Sequence, residues 1–360
     1  METAKPIGPN NFALIRLFAV FQIILTFFNF RFGWDTGVVF FLTRNFFAHF
    51  PGIRILFFVS GYLVFASYLR NPESWKETLR RRLFRIYPAM WVCVGLTIVF
   101  VILTQPGHGH SLVDWVTFIA TQSTILQGYV PESFMLFPTG EPNSALWAVG
   151  VLVQFYFLVP VVAKTVNRLD TRSVATLFAV LIYSSYLIWA KGHGYFPELY
   201  AILKLTFIPY LQYFLLGIAA FWFRDKYQHK LESKALIWVG VYLLFQLFIE
   251  PLLYPILGYF WIQPFNWFLM YGTILSLAYS SKNLSAKILR GNRYAYGLYI
   301  YYALVFNAVF ILMPDSTMPW IILLTLLVSI VMAFLSWHIV EKNFHEKTGL
   351  QADRSRYKLK

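Results

Sequence analysis

Apolar stretches of about 18–22 residues recur along the whole chain, separated by short polar connections. A bilayer core about 30 Å thick needs about 20 mostly apolar residues per helical crossing. Ten segments meet that requirement, at about 12–32, 52–69, 86–104, 145–163, 173–190, 202–223, 235–255, 263–280, 294–313 and 319–339. The pattern predicts an all-α, polytopic integral membrane protein of about ten transmembrane helices. Two further stretches fit less simply. Residues 35–50 are apolar but short and carry Arg44 and His49, which suits a re-entrant or interfacial element. Residues 114–128 suit a helix lying on the membrane surface. Interfacial aromatic residues mark several predicted ends, among them Trp91, Trp147, Trp222, Trp320 and Trp337.

The charge pattern supplies an orientation. Twenty-four of the 30 Lys and Arg residues fall in six patches: Lys5; Arg70 to Arg85; Lys164 to Arg172; Arg224 to Lys234; Lys282 to Arg293; and the tail from Lys342 to Lys360. These patches alternate with connections that carry few cations or none. Basic residues retained on the cytoplasmic side produce this alternation. An even number of spans then places both termini in the cytoplasm, in the inner (plasma) membrane. The expected organisation is a cytoplasmic N-terminus over 1–11, one membrane domain over 12–340 and a basic tail over 341–360.

Composition narrows the class. The chain is 58% hydrophobic and only 13% charged, about half the charged share of a soluble domain. Its net charge of +14 is spread around apolar segments, not gathered on one face as nucleic-acid binding requires. The partner implied is therefore a lipid bilayer and not nucleic acid. Cys93 is the only cysteine, so neither an intrachain disulfide nor a cysteine metal cluster is expected. No cleavage site follows Met1–Asn11, and the first apolar stretch reads as a retained span.

Ionisable side chains within spans are costly and face a cavity or a partner. Arg16 lies in the first span and Arg54 opens the second; Lys204 and Glu250 lie near span ends, where reaching the interface suffices. Two readings fit Arg16, a route to the headgroups or an anionic ligand. Two also fit the run from Lys76 to Tyr87. It anchors a helix in the headgroups, or its arginines bind phosphate oxygens in pairs. Gln22, Gln154, Gln212, Gln246 and Asn307 suit interhelical hydrogen bonds.

Several segments resemble the membrane acyltransferase-3 family, which includes surface-polysaccharide O-acetylases. They are Asn11-Phe12-Ala13-Leu14-Ile15-Arg16-Leu17-Phe18-Ala19, Phe57-Phe58-Val59-Ser60-Gly61-Tyr62-Leu63 and Arg81-Arg82-Leu83-Phe84-Arg85-Ile86-Tyr87-Pro88. Downstream come Leu146-Trp147 with Gln154-Phe155-Tyr156, then Tyr296-Gly297-Leu298-Tyr299, and Ser336-Trp337 through Glu341-Lys342. The resemblance implies an acyltransferase moving an acyl group, usually acetyl, to a hydroxyl of a saccharide or lipid-linked glycan. The donor implied is acyl-CoA, as a co-substrate and not as a bound cofactor; no metal is implied. By the same resemblance Arg16, Arg54, Arg82 and Arg85 would hold the donor, and Ser60, Tyr87, Trp147, Gln154 and Tyr156 would line a cavity wall.

The chain departs from the family at three polar positions. Eleven residues beyond Arg16 the family's catalytic histidine is replaced by Phe27; its acidic residue after the Leu-Trp pair is Leu152; and a later histidine is Tyr302. Acyl transfer to a hydroxyl needs a proton acceptor, and losing one typically lowers the rate about 10²–10⁴-fold. An impaired enzyme is therefore expected. The alternative is a non-catalytic protein of the same fold, a pseudoenzyme or a redesigned scaffold. Of the remaining histidines, His49 could approach the cavity or sit as an ordinary interfacial residue.

Overall fold

The computed structural model describes residues 8–32, 47–70, 74–105, 109–281 and 283–347. The N-terminal 1–7, most of the suggested re-entrant stretch, and the tail beyond Lys347 lie outside them, as do Arg44, His108 and Lys282. Among the described residues the only regular elements are helices, as expected where backbone N–H and C=O groups must satisfy one another away from water. The chain groups into two compact units, each made of two separate stretches. The first comprises Met1–Arg70 and Gln212–Asn292, the second Asn71–Leu211 and Arg293–Lys360.

The first unit contains α1 (Phe12–Phe32) and α2 (Gly52–Arg70). It also holds α8 from Gln212 (Leu211–Trp222), α9 (Arg224–Leu231), α10 (Ala235–Leu244), α11 (Glu250–Tyr279) and α12 (Leu284–Leu289). The second contains α3 (Trp75–Thr104), α4 (Leu112–Gln122), α5 (Trp147–Arg168), α6 (Thr171–Tyr195), α7 (Pro197–Leu203), α13 (Tyr294–Leu312), α14 (Met318–Leu335) and α15 (Lys342–Lys347). Among the described residues seven helices are long and apolar enough to cross a membrane. An eighth is added if Pro197–Leu203 and Ile208–Trp222 form one broken span. The first predicted span appears as the shorter apolar helix Phe12–Phe28, and the eighth as the second half of α11. There Gly258, at φ 72° and ψ 157°, breaks the helix in a conformation open to glycine.

In the first unit close backbone approach replaces side-chain interdigitation. A Cβ on Gly61 would stand 2.2 Å from the Phe214 carbonyl oxygen, and one on Gly217 would stand 2.1 Å from that of Phe58. The reciprocal glycines let α2 and α8 touch backbone to backbone, the way small residues serve helix pairs in lipid. Gly52 does the same against the Ala19 carbonyl on α1. Asn11 fixes the start of α1: its Nδ2 donates to the Ser280 carbonyl at 2.6 Å and its Oδ1 accepts from the Ser285 N–H at 2.9 Å.

In the second unit α4 is closed by a capping box, Ser111 accepting from the Asp114 N–H and Asp114 from the Ser111 N–H. One face of α4 is sealed by Phe118, which packs with Val101, Val130, Phe134 and Phe137. Its other face leaves Leu112, Val113, Val116 and Ile119 exposed. The helix ends at Gln122, short of the end of the 114–128 stretch read as a surface helix. The aromatic markers divide: Trp91 and Trp320 are exposed, whereas Trp337, in the π turn Ser336–Glu341, is buried.

Candidate functional site

The predicted site residues divide between the units, with Arg16, Phe27, Arg54 and Ser60 in the first and the others in the second. On α1, Arg16 and Phe27 are eleven residues apart, so they share one face about 16 Å apart along the axis. Phe27 is half-buried and meets the Phe28 ring edge-on at 5.9 Å. Arg54, one turn into α2, holds its guanidinium 5.5 Å from the centre of the Tyr213 ring. Ser60 is buried one residue before the Gly61 contact.

In the second unit four of the matched segments meet on α3. The Arg82 guanidinium lies 5.6 Å from the centre of the Tyr156 ring. The Tyr296 hydroxyl donates to the Ile86 carbonyl at 2.9 Å. Arg85 and Arg293 both act electrostatically on Glu341, a buried carboxylate that accepts from the Ser336 hydroxyl at 3.0 Å. The arginine run is thus built into the protein, and Glu341 is a partner that its place in the sequence did not disclose. Tyr87 packs against Trp91 with ring centroids 5.4 Å apart, and Trp147 against Tyr210 at 5.0 Å.

Gln154, expected in a cavity wall and also suited to hydrogen bonding between elements, acts as a staple. Its Nε2 donates to the Ile125 and Leu205 carbonyls and its Oε1 accepts from the Phe207 N–H. Leu152 is half-buried on the same helix, and Tyr302 is buried on α13 with Tyr299 6.1 Å away. Neither offers a group that takes a proton at neutral pH.

Asn143 and Asn307 carry the connection that precedes α5. Asn307 donates to the Glu141 and Pro142 carbonyls and to Thr139 Oγ1, and accepts from the Thr139 N–H. Asn143 donates to the Ile300 carbonyl at 2.9 Å. The cradle fixes the Glu141 backbone, and partial burial pushes its carboxyl up to about 7 against the opposing pull of Lys204.

The first unit holds a polar chain that the sequence left scattered. His49 sits in the 3₁₀ turn Phe47–His49, directly before α2. Gln22 on α1 clamps that turn at both ends, donating to the Phe47 carbonyl at 3.0 Å and accepting from the Gly52 N–H at 2.6 Å. The Tyr242 hydroxyl donates to the His49 carbonyl. The His49 ring is bonded through Nδ1 to Gln246 Oε1 at 2.7 Å, and Gln246 Nε2 donates to Glu250 Oε2. Asn266 Nδ2 reaches the same carboxylate oxygen at 3.4 Å. Gln246 belongs to the π turn Phe245–Ile249 that joins α10 to α11, a kind of bulge frequent at functional sites. Glu250 is therefore a hydrogen-bonded partner and not only a side chain reaching for the interface.

Long apolar helices with polar groups paired inside them define an integral membrane protein. The chain belongs to the acyltransferase-3 family: the model of its acyltransferase domain matches residues 10–338. It is also similar to nodulation protein 10 of Rhizobium leguminosarum bv. viciae, with 25% identity across 92% of each chain. No solved structure matches it.

Proposed function

We propose that this protein transfers an acyl group, acetyl in the simplest case, from acyl-CoA to a hydroxyl of a cell-envelope saccharide or lipid-linked glycan. It would act in the inner membrane as one membrane domain with both termini cytoplasmic. The observation that carries this reading is a family match running from before Arg16 to within the last motif. Arg16, Arg54, Arg82 and Arg85 are the candidates for holding donor phosphates, since a guanidinium pairs with two phosphate oxygens and stays charged. Of these, Arg82 and Arg85 stand on one helix face beside Tyr156 and Glu341. Product formation requires loss of the acceptor's hydroxyl proton and departure of the donor sulfur as thiol.

The test is acyl transfer from radiolabelled acetyl-CoA to envelope glycan extracts by membranes containing the protein. Label in the glycan fraction supports the reading, and its absence beside an active relative removes it. A second reading, binding without turnover, is favoured by Phe27, Leu152 and Tyr302. Activity that appears only after Phe27→His, Leu152→Glu and Tyr302→His together would select it.

A further inference from the structure

The family position for histidine on α1 holds Phe27, yet the first unit presents an imidazole organised as a base needs to be. Its orientation follows from donors and acceptors alone. The amide nitrogen of Gln246 donates to Glu250, so its amide oxygen faces His49. A carbonyl oxygen also only accepts, so His49 carries its hydrogen on Nδ1. The neutral ring must then hold its lone pair on Nε2, and among the described residues no hydrogen bond is made by Nε2. The ring is half-exposed, whereas Gln246 behind it is buried.

The turn carrying the ring is fixed at several points. Gln22 holds both ends, Tyr242 holds the His49 carbonyl, and Phe50 packs edge-on against Tyr242 at 5.1 Å. Arg54, one turn further on, acts electrostatically on Tyr242 and brings a permanent cation to the same group of residues.

We infer that His49, oriented by Gln246 and Glu250, is the proton acceptor of acyl transfer in this chain, in place of the histidine that Phe27 replaces. This rests on the acyl-transfer reading above. The acceptor hydroxyl gives its proton to His49 Nε2 as its oxygen bonds to the thioester carbonyl carbon. The carbon–sulfur bond then breaks, and the departing sulfur takes the proton from Nε2, leaving an ester, a thiol and the neutral ring. Gln246 and Glu250 are positioning residues: they hold the tautomer and face the imidazolium while it exists.

The experiment measures acetyl transfer from acetyl-CoA to envelope glycan by the full chain in detergent or membranes. Gel filtration and thermal unfolding accompany every variant. His49→Gly is expected to lower kcat about 10²–10⁴-fold, and added imidazole to restore part of the loss. His49→Gln, which retains a side chain in the turn, is expected to match that loss without restoration. Gln246→Leu and Glu250→Gln are expected to lower kcat with KM for both substrates unchanged, a split that general loosening of the unit would not give. His193→Gln, exposed on α6, is expected to act as the parent. An active parent whose folded His49 variants transfer equally well overturns the inference and leaves acyl transfer standing. So does a folded His49→Gly that imidazole cannot restore. A parent that transfers nothing removes the acyl-transfer reading, and this inference with it.

Discussion

The two units share one use of buried amide side chains and differ in a second. In the second unit Gln154 and Asn307 spend hydrogen bonds on backbone groups of connections that enter the helices, and Asn143 binds the Ile300 carbonyl within α13. In the first, Asn11 and Gln22 likewise hold backbone groups, whereas Gln246 spends both ends on ionisable side chains, His49 and Glu250. Backbone partners exist whatever residues stand in the connection, so an amide that binds them fixes shape and nothing else. A link between imidazole and carboxylate does little for shape but fixes where a proton resides. The contrast separates support from chemistry where composition alone treats such amides as equivalent.

Four measurements would break or sharpen that contrast. Asn307→Leu strands buried backbone groups at Thr139, Glu141 and Pro142. It is expected to cost about 3 kcal/mol, since each unsatisfied buried group costs about 1–3 kcal/mol; thermal unfolding in detergent would show it. Gln154→Leu, half-buried, is expected to cost about 2 kcal/mol in the same assay for the same reason. Gln246→Leu should shift unfolding by only about 1 kcal/mol, the net value of an ordinary hydrogen bond. An unfolding loss as large as that of Asn307→Leu would erase the distinction between the two uses.

The fourth measurement concerns pH. Glu141 binds its proton more tightly in the folded protein, at about 7, than the 4.5 of an unperturbed glutamate. Between those values the folded state holds more protons than the unfolded one, so stability falls as pH rises from about 4.5 to about 7. Glu141→Gln should flatten that slope in unfolding scans across the interval.

The helices were legible because lipid allows few alternatives to a self-satisfied backbone, and a run of 20 apolar residues announces one. The breaks within them were less so. The π turn at Phe245–Ile249 and the kink at Gly258 leave the hydropathy of 235–280 almost untouched. Arg16, Arg82 and Arg85 stood out as cations in apolar or basic runs, and the Arg82–Tyr156 contact joins two segments already singled out. The bond between His49 and Gln246 spans 197 residues and exists only because α10 packs beside the turn before α2. No local pattern encodes it; the one clue was a histidine in a stretch too short to span. Gln154 was legible as a hydrogen-bonding amide, but the carbonyls it binds carry no signature in a sequence.

The amide of Asn11 at the head of α1 sets a schedule for synthesis. Its principal acceptor, the Ser280 carbonyl, lies 269 positions further on. At ribosomal speeds of about 5–20 residues per second, roughly 13–54 s pass before that acceptor is polymerised. The leading helix must therefore stand in the bilayer through most of translation with its entry end provisional, and it locks only when the third quarter of the polypeptide has emerged.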